Sequence, residues 1–180
     1  MSWKSSGHRY GAVAMAMHWV TALAIFGLLV SGNIMDEMAD DAAKTGILRV
    51  HVLIGSGVLA LTLLRIGWWA FADRRPADVA GQPRWQASAA WLVHRLFYVV
   101  IIVLGASGLA MIALSGAGYI LFAGAPGPLP DFDAYTPRPA HGLAAWTMMG
   151  LIAAHVGAAL YHQIVRKDRV LGRMGIGSAG

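Results

Sequence analysis

Four stretches of this chain are long, apolar and almost free of charge, and that pattern leaves few folds open. They run over 11–31, 49–69, 89–114 and 140–165; apart from Arg49 opening the second, only Arg65 and Arg95 put a formal charge inside them. A membrane span takes about 20 mostly apolar residues. Hydrocarbon offers no partner to a backbone N–H or C=O, so such segments cross as helices. Composition agrees: residues are 57% hydrophobic and 13% charged, roughly half the charged share of a soluble domain. The sequence predicts an all-α membrane protein, a single domain over 1–180 built as a four-transmembrane-helix bundle. The first stretch reads as a span rather than a cleaved leader, because its apolar run is too long and no small-residue cleavage site follows.

The loops predict the orientation. Lys4, Arg9, Arg65, Arg74, Arg75, Arg84, Arg95, Arg166, Lys167, Arg169 and Arg173 fall on the side holding both termini, against Lys44, Arg49 and Arg138 on the other. Basic loops stay inside, which puts both termini in the cytoplasm. Asp36, Glu37, Asp40, Asp41, Asp131 and Asp133 then lie outside. The net charge of +5 and pI near 10.0 follow from these inner basic loops rather than from nucleic-acid binding. Trp68, Trp69, Trp85 and Trp91 cluster at the inner boundary, where indoles anchor. Tyr119–Phe122, in the Gly/Pro-rich outer loop 115–139, reads as a short turn on the membrane surface, and 73–84 as a polar inner connection. The absence of cysteine removes disulfides, thiolate zinc sites, iron–sulfur clusters and covalently attached haem.

Ionisable groups inside hydrocarbon are rare and functional as a rule. Six of the seven histidines stand in apolar stretches: His18, His51, His94, His141, His155 and His162. His8 precedes the first span and reads as a solvated tail residue. On a helix, fourteen residues are nearly four turns, so His141 and His155 share a face about 21 Å apart along the axis. His162 falls on that face as well, deeper toward the inside. Counting from the ends of the spans sets His51 level with His141 near the outer surface and His18 level with His155 near the inner one. Two imidazole pairs at two depths suit bis-histidine ligation of two haem irons. A zinc or nickel site wants three or four converging ligands with carboxylates or thiolates, which the spans lack. Packing histidines, or a proton relay without haem, are the other readings.

AMAMHWV around His18, LRVHVLIG around His51, WLVHRLFYVV around His94 and HGLAAWTMMGLIAAHVGAALYHQIVRKDRVLGRM over the fourth span carry a family likeness. From about Tyr10 to Met174 the chain resembles the bacterial cytochrome b561 family, the four-helix di-haem group that includes superoxide oxidase. The resemblance implies two non-covalent haem b groups, electron exchange with membrane quinone, and placement in the bacterial inner membrane. It assigns axial iron ligation to His18, His51, His141 and His155. His94, close in depth to His18, is a candidate inner ligand, propionate partner or quinone-pocket residue; His162 has the same options, and simple packing accounts for either equally well. Arg65 shares a face of the second helix with His51 and is a candidate partner for an inner propionate; Arg49 and Lys44 are candidates for the outer ones. The expected function is a di-haem oxidoreductase moving electrons between quinone and a one-electron partner. Superoxide oxidation with ubiquinone reduction is one version, and a haem-bearing anchor or relay subunit of a hydrogenase or dehydrogenase complex is the alternative.

Overall fold

A computed structural model describes residues 2–77 and 81–177. Its long helices are α1 (Ala12–Glu37), α2 (Ala42–Gly67), α3 (Arg84–Ser115) and, after a short α4 (Ala117–Phe122), α5 (Pro137–Tyr161); α6 (Val170–Arg173) closes the chain. A π-helical turn extends α2 through Ala72 and another extends α5 through Arg166. The described residues contain no strand. Four segments, Ala12–Glu37, Ala42–Ala72, Arg84–Ser115 and Pro137–Arg166, are long and apolar enough to cross a membrane. They contain the predicted spans almost entirely but overrun them. α2 starts at Ala42, seven residues before Arg49, because the Asp41 carboxylate caps the Lys44 N–H at 2.9 Å. Hydropathy registers only the hydrocarbon-buried part of a helix, whereas backbone hydrogen bonds continue it into the interface.

Consecutive long helices pack as antiparallel neighbours: α1 lies against α2, α2 against α3, and α3 against α5. Lipid is as apolar as leucine, so packing rather than hydrophobic burial holds these faces. At Gly105 the approach of α3 to α2 is so close that a Cβ would sit 2.8 Å from Leu59 Cδ2. Many large apolar side chains, Leu23, Phe26, Leu64 and Trp146 among them, stay exposed on the outside of the bundle, as a lipid-facing surface requires.

Seven residues are almost two turns, and each long helix carries one heptad-spaced stripe whose members are buried or half-buried except the exposed His94. α1 contributes His18, Ile25 and Gly32; α2 His51, Val58 and Arg65; α3 His94, Ile101 and Gly108; α5 His141, Met148 and His155. Because neighbouring helices run antiparallel, these stripes stack into three layers. Ile25, Val58, Ile101 and Met148 share one buried cluster and form the middle layer, with Met148 fully enclosed.

Both chain ends meet at one end of the bundle, called proximal below. Trp19 Nε1–H donates to the Met174 carbonyl at 3.0 Å, and Tyr10 N–H to the Arg173 carbonyl at 3.2 Å. The N-terminal segment crosses α1 at Gly11, where a Cβ would run into the backbone of Trp3 and Lys4. Ser5 donates its N–H and hydroxyl to Asp73 just beyond α2, at 3.0 Å and 2.8 Å to Oδ2. The inner connection 73–84 is described except for 78–80, which lie outside the described residues. Trp68 Nε1–H also reaches Asp73 Oδ2, at 3.2 Å, while Trp85 and Trp91 stay exposed, the latter under the Arg95 guanidinium. His8 is exposed, as its tail position implies.

At the opposite, distal end the expected surface turn is a helix. Gly116, at φ 70°, breaks α3 and starts α4; a left-handed residue there suits glycine. Leu121 of α4 is buried while Tyr119 is exposed, so the segment packs into the bundle instead of merely lying on it.

Candidate functional site

The proximal layer gathers His18, Arg65, His94 and His155, and the distal layer His51 and His141 with Gly32 and Gly108. The His18 and His155 ring centroids are 6.3 Å apart, and those of His51 and His141 are 6.5 Å apart. A metal-bound imidazole nitrogen stands about 2.0–2.1 Å from its ion, with the ring centre roughly 1.2 Å behind it. Two imidazoles sharing one iron from opposite sides therefore have centroids about 6.4 Å apart, which both pairs match. His94 is different: its ring meets His155 edge-on at 5.4 Å, too close to share an iron with it. Phe97, one turn further along α3, abuts the same ring at 5.5 Å.

The distal imidazoles are held by hydrogen bonds. His51 Nδ1 lies 2.8 Å from Ser31 Oγ, whose own hydrogen goes to the Leu28 carbonyl at 3.0 Å. His141 Nδ1 lies 3.1 Å from the Leu104 carbonyl and 3.1 Å from Ser107 Oγ, and Ser107 donates to the Val103 carbonyl at 2.6 Å. The Leu104 carbonyl can only accept, so His141 Nδ1 is the N–H and its Nε2 lone pair is free for a metal. Ser31, donating to the Leu28 carbonyl, is placed to accept from His51 Nδ1 in the same way. Among the described residues, no hydrogen bond to the ring of His18 or His155 is found. Glycine clears the space around the distal rings: a Cβ at Gly108 would lie 3.4 Å from His141 Cε1, and one at Gly32 3.9 Å from His51 Cε1.

The arginines divide. Arg65 Nε is shielded from solvent without a hydrogen-bond partner, an orphaned donor in the layer of His18 and His155. Arg49 Nε donates to the Leu121 carbonyl at 2.6 Å, so it tethers α4, and only its terminal nitrogens remain for any other acceptor. Lys44 pairs with Asp40 at 2.8 Å, and Arg138 joins Asp36 at 3.2 Å to Asp133 at 3.1 Å. His162 lies beyond the proximal layer, where its Nδ1 contacts Asp168 Oδ2. Two left-handed residues, Lys167 and Arg169, turn the chain so that Asp168 faces back toward His162. No group of three or more His, Cys, Asp or Glu side chains among the described residues is arranged to hold a bare metal ion.

Reasoning from sequence did not single out Ser31, Ser107, the Leu104 carbonyl or Phe97. The first two carry a signal, since each is a hydroxyl in an apolar span, but only lateral helix rotation shows which histidine it meets.

The family model for prokaryotic cytochrome b561 matches residues 9–177. The chain belongs to the prokaryotic cytochrome b561 family. It is 29% identical over 174 residues to "Cytochrome b561 homolog 1" of Escherichia coli (strain K12), covering 93% of this chain and 97% of that protein. "Cytochrome b561 homolog 2" of the same organism is 25% identical over 97% of this chain and 95% of its own. "Cytochrome b562" of Cereibacter sphaeroides is 32% identical over 92% of this chain and 94% of its own. No solved structure matches. Membership in the cytochrome b561 family, with four membrane-length helices, makes this a bacterial membrane haem b protein of electron transport.

Proposed function

We propose that this cytochrome b561 carries two haem b groups and moves electrons between the membrane quinone pool and a one-electron partner. His18 and His155 hold one iron, His51 and His141 the other. The observation that carries the reading is the recurrence of one spacing, 6.3 Å and 6.5 Å between ring centroids, at two levels of one bundle. Bound haem supplies reversible one-electron chemistry at iron. The protein supplies the rest. Hydrogen bonds at Nδ1 hold the distal rings in place, and Gly32 and Gly108 leave space beside His51 and His141. Arg65 offers its guanidinium to a propionate at the proximal level. Ile25, Val58, Ile101 and Met148 keep water out between the two levels. Arg49, committed to α4 through Nε, and Lys44, paired with Asp40, are weaker candidates for distal propionates.

The eleven-to-three division of Lys and Arg supports cytoplasmic termini, in which case the distal layer faces the outside of a bacterial inner membrane. The one-electron partner then works at the distal end and ubiquinone or a related quinone at the proximal end. Superoxide is one such partner and meets an electrostatic obstacle. Six distal carboxylates face three cations, and Lys44 and Arg138 are already paired. The end-to-end match to relatives that are themselves named as cytochromes supports the haem-bearing reading.

Single-ligand variants test the assignment. His51→Ala or His141→Ala removes one of two haems per chain, and His18→Ala or His155→Ala removes the other, as read by haem content and the low-temperature split of the reduced band. Full haem content in any of the four, with the protein folded, contradicts it. Rapid mixing of the wild type with quinol, and separately with superoxide and quinone, then identifies the partner.

A further inference from the structure

The proximal start of α3 carries positive charge that no described side chain offsets. The described carboxylates at that end are engaged elsewhere, Asp73 by Ser5 and Trp68, and Asp168 by His162 and Arg166. Arg84 and Arg95 are exposed and have no ion pair among the described residues. With Ser88, Trp91, Val99 and Ile102 they share one face of α3, since successive steps of three or four residues keep a face. Ala87, Ser88, Trp91 and Leu92 line an open groove of about 580 Å³ there. The Arg95 Cζ stands 3.9 Å from the centre of the Trp91 ring, so the indole holds the guanidinium flat and leaves its N–H edge for an acceptor. The N-cap, Pro83, makes no side-chain bond, and the first turn holds no acidic residue, which leaves the positive end of the helix dipole to an anion from outside. Further into the span the same side of α3 turns apolar: Leu92, Leu96, Val99 and Ile102 are all exposed within a helix of membrane length.

We propose that this end of α3 is a binding site for an anionic phospholipid. Arg95 donates to the headgroup phosphate from its place over Trp91, and Ser88, one to two turns nearer the water, adds its hydroxyl. Arg84, a further turn out, attracts the headgroup charge across the interface. One acyl chain lies along Leu92, Leu96 and Val99. The order of groups along the helix, cation and hydroxyl, then indole, then aliphatic side chains, is the order of charge, interface and chain in a phospholipid. A free anion or a soluble acidic peptide would use only the first part of it. Stacking on Trp91 has already removed much of the freedom of the Arg95 side chain, so little ordering remains to oppose binding. The site requires the membrane placement of α3 and is independent of how many haems the bundle holds.

Native mass spectrometry of the purified holoprotein in detergent, titrated with dioleoyl-phosphatidylglycerol and separately with dioleoyl-phosphatidylcholine, tests the proposal. The wild type should retain one phosphatidylglycerol per chain at least about tenfold more tightly than phosphatidylcholine, the worth of one charge-assisted hydrogen bond. The double variant Arg84→Gln/Arg95→Gln should lose that preference. Arg95→Lys, which keeps the charge and gives up the flat stacked fork, should lose part of it. The double variant Lys4→Gln/Arg74→Gln removes two exposed cations from the same end of the bundle and should keep it in full. Equal retention of the two lipids by the wild type overturns the proposal. An equal loss in both double variants also overturns it, since a diffuse basic surface would then account for the binding. Displacement of phosphatidylglycerol by millimolar inorganic phosphate would show that the acyl chain contributes nothing and would overturn the lipid assignment. Haem content should match the wild type in every variant, so the result stands or falls apart from the di-haem reading.

Discussion

Gly108 offers a graded perturbation of the distal layer. Its hydrogen faces the His141 ring, and an added Cβ would stand 3.4 Å from Cε1 and 3.6 Å from Nδ1. Gly108→Ala is therefore a tight but tolerable contact that needs a shift of a few tenths of an ångström, and the distal haem should survive. Gly108→Val puts a methyl about 1.5 Å further out, inside the van der Waals envelope of the ring. The ring must swing, breaking its 3.1 Å bonds to the Leu104 carbonyl and Ser107 Oγ. Overpacking costs about 1–3 kcal/mol, and each lost hydrogen bond about 0.5–1.5 kcal/mol. The sum is about 2–6 kcal/mol, so distal haem affinity should fall at least ~30-fold at 1.4 kcal/mol per decade. The proximal level, two layers away, should be unaffected. Haem per folded chain, titrated with added haemin, should stay near two in the alanine variant and drop toward one in the valine variant. A valine variant that keeps both haems at wild-type affinity would refute the placement of His141 against α3.

Other outcomes follow from the two ends of the bundle. Burial works to raise the Asp73 carboxyl, but hydrogen bonds from Ser5, Arg74 and Trp68 outweigh it and hold the group below its ordinary value. A depressed carboxyl stabilises the folded form above its unfolded pKa and loses that contribution as pH falls through the folded one. Protection of the N-terminal segment from protease should thus weaken only under acid conditions below the usual carboxylate range, and Asp73→Asn should abolish it at neutral pH. Arg49→Ala leaves the Leu121 carbonyl without its charged donor, at a cost of about 1.5–3 kcal/mol. Hydrogen exchange across 117–122 should accelerate while haem content holds. If superoxide reacts at the distal end, its rate should rise with ionic strength, since salt screens like-charge repulsion; a falling rate would place an unpaired positive site there.

Much of this arrangement is readable from residue numbers, for a physical reason. Membrane helices run nearly straight across a slab of fixed thickness, so sequence position converts to height and steps of seven keep a face. That is why residue numbers alone set His18 level with His155 and His51 level with His141, and why Arg65 shares its face with His51. What stays hidden depends on rotation about the helix axes or on polar chemistry at the ends. Ser107 meets His141 across 34 positions of sequence, and nothing local announces it. Asp41 extends α2 outward through a cap that hydropathy ignores. Arg49 looks like a propionate partner from its position, yet its Nε belongs to a carbonyl of α4, a helix whose existence depends on the left-handed Gly116.

Haem stoichiometry of the purified wild-type protein tests the central claim most directly, by pyridine haemochrome against protein concentration together with a dithionite-reduced minus oxidised spectrum. Two non-covalent b-type haems per chain, both low-spin, are the expected result. One haem per chain, or high-spin iron at either level, would contradict the paired-imidazole account.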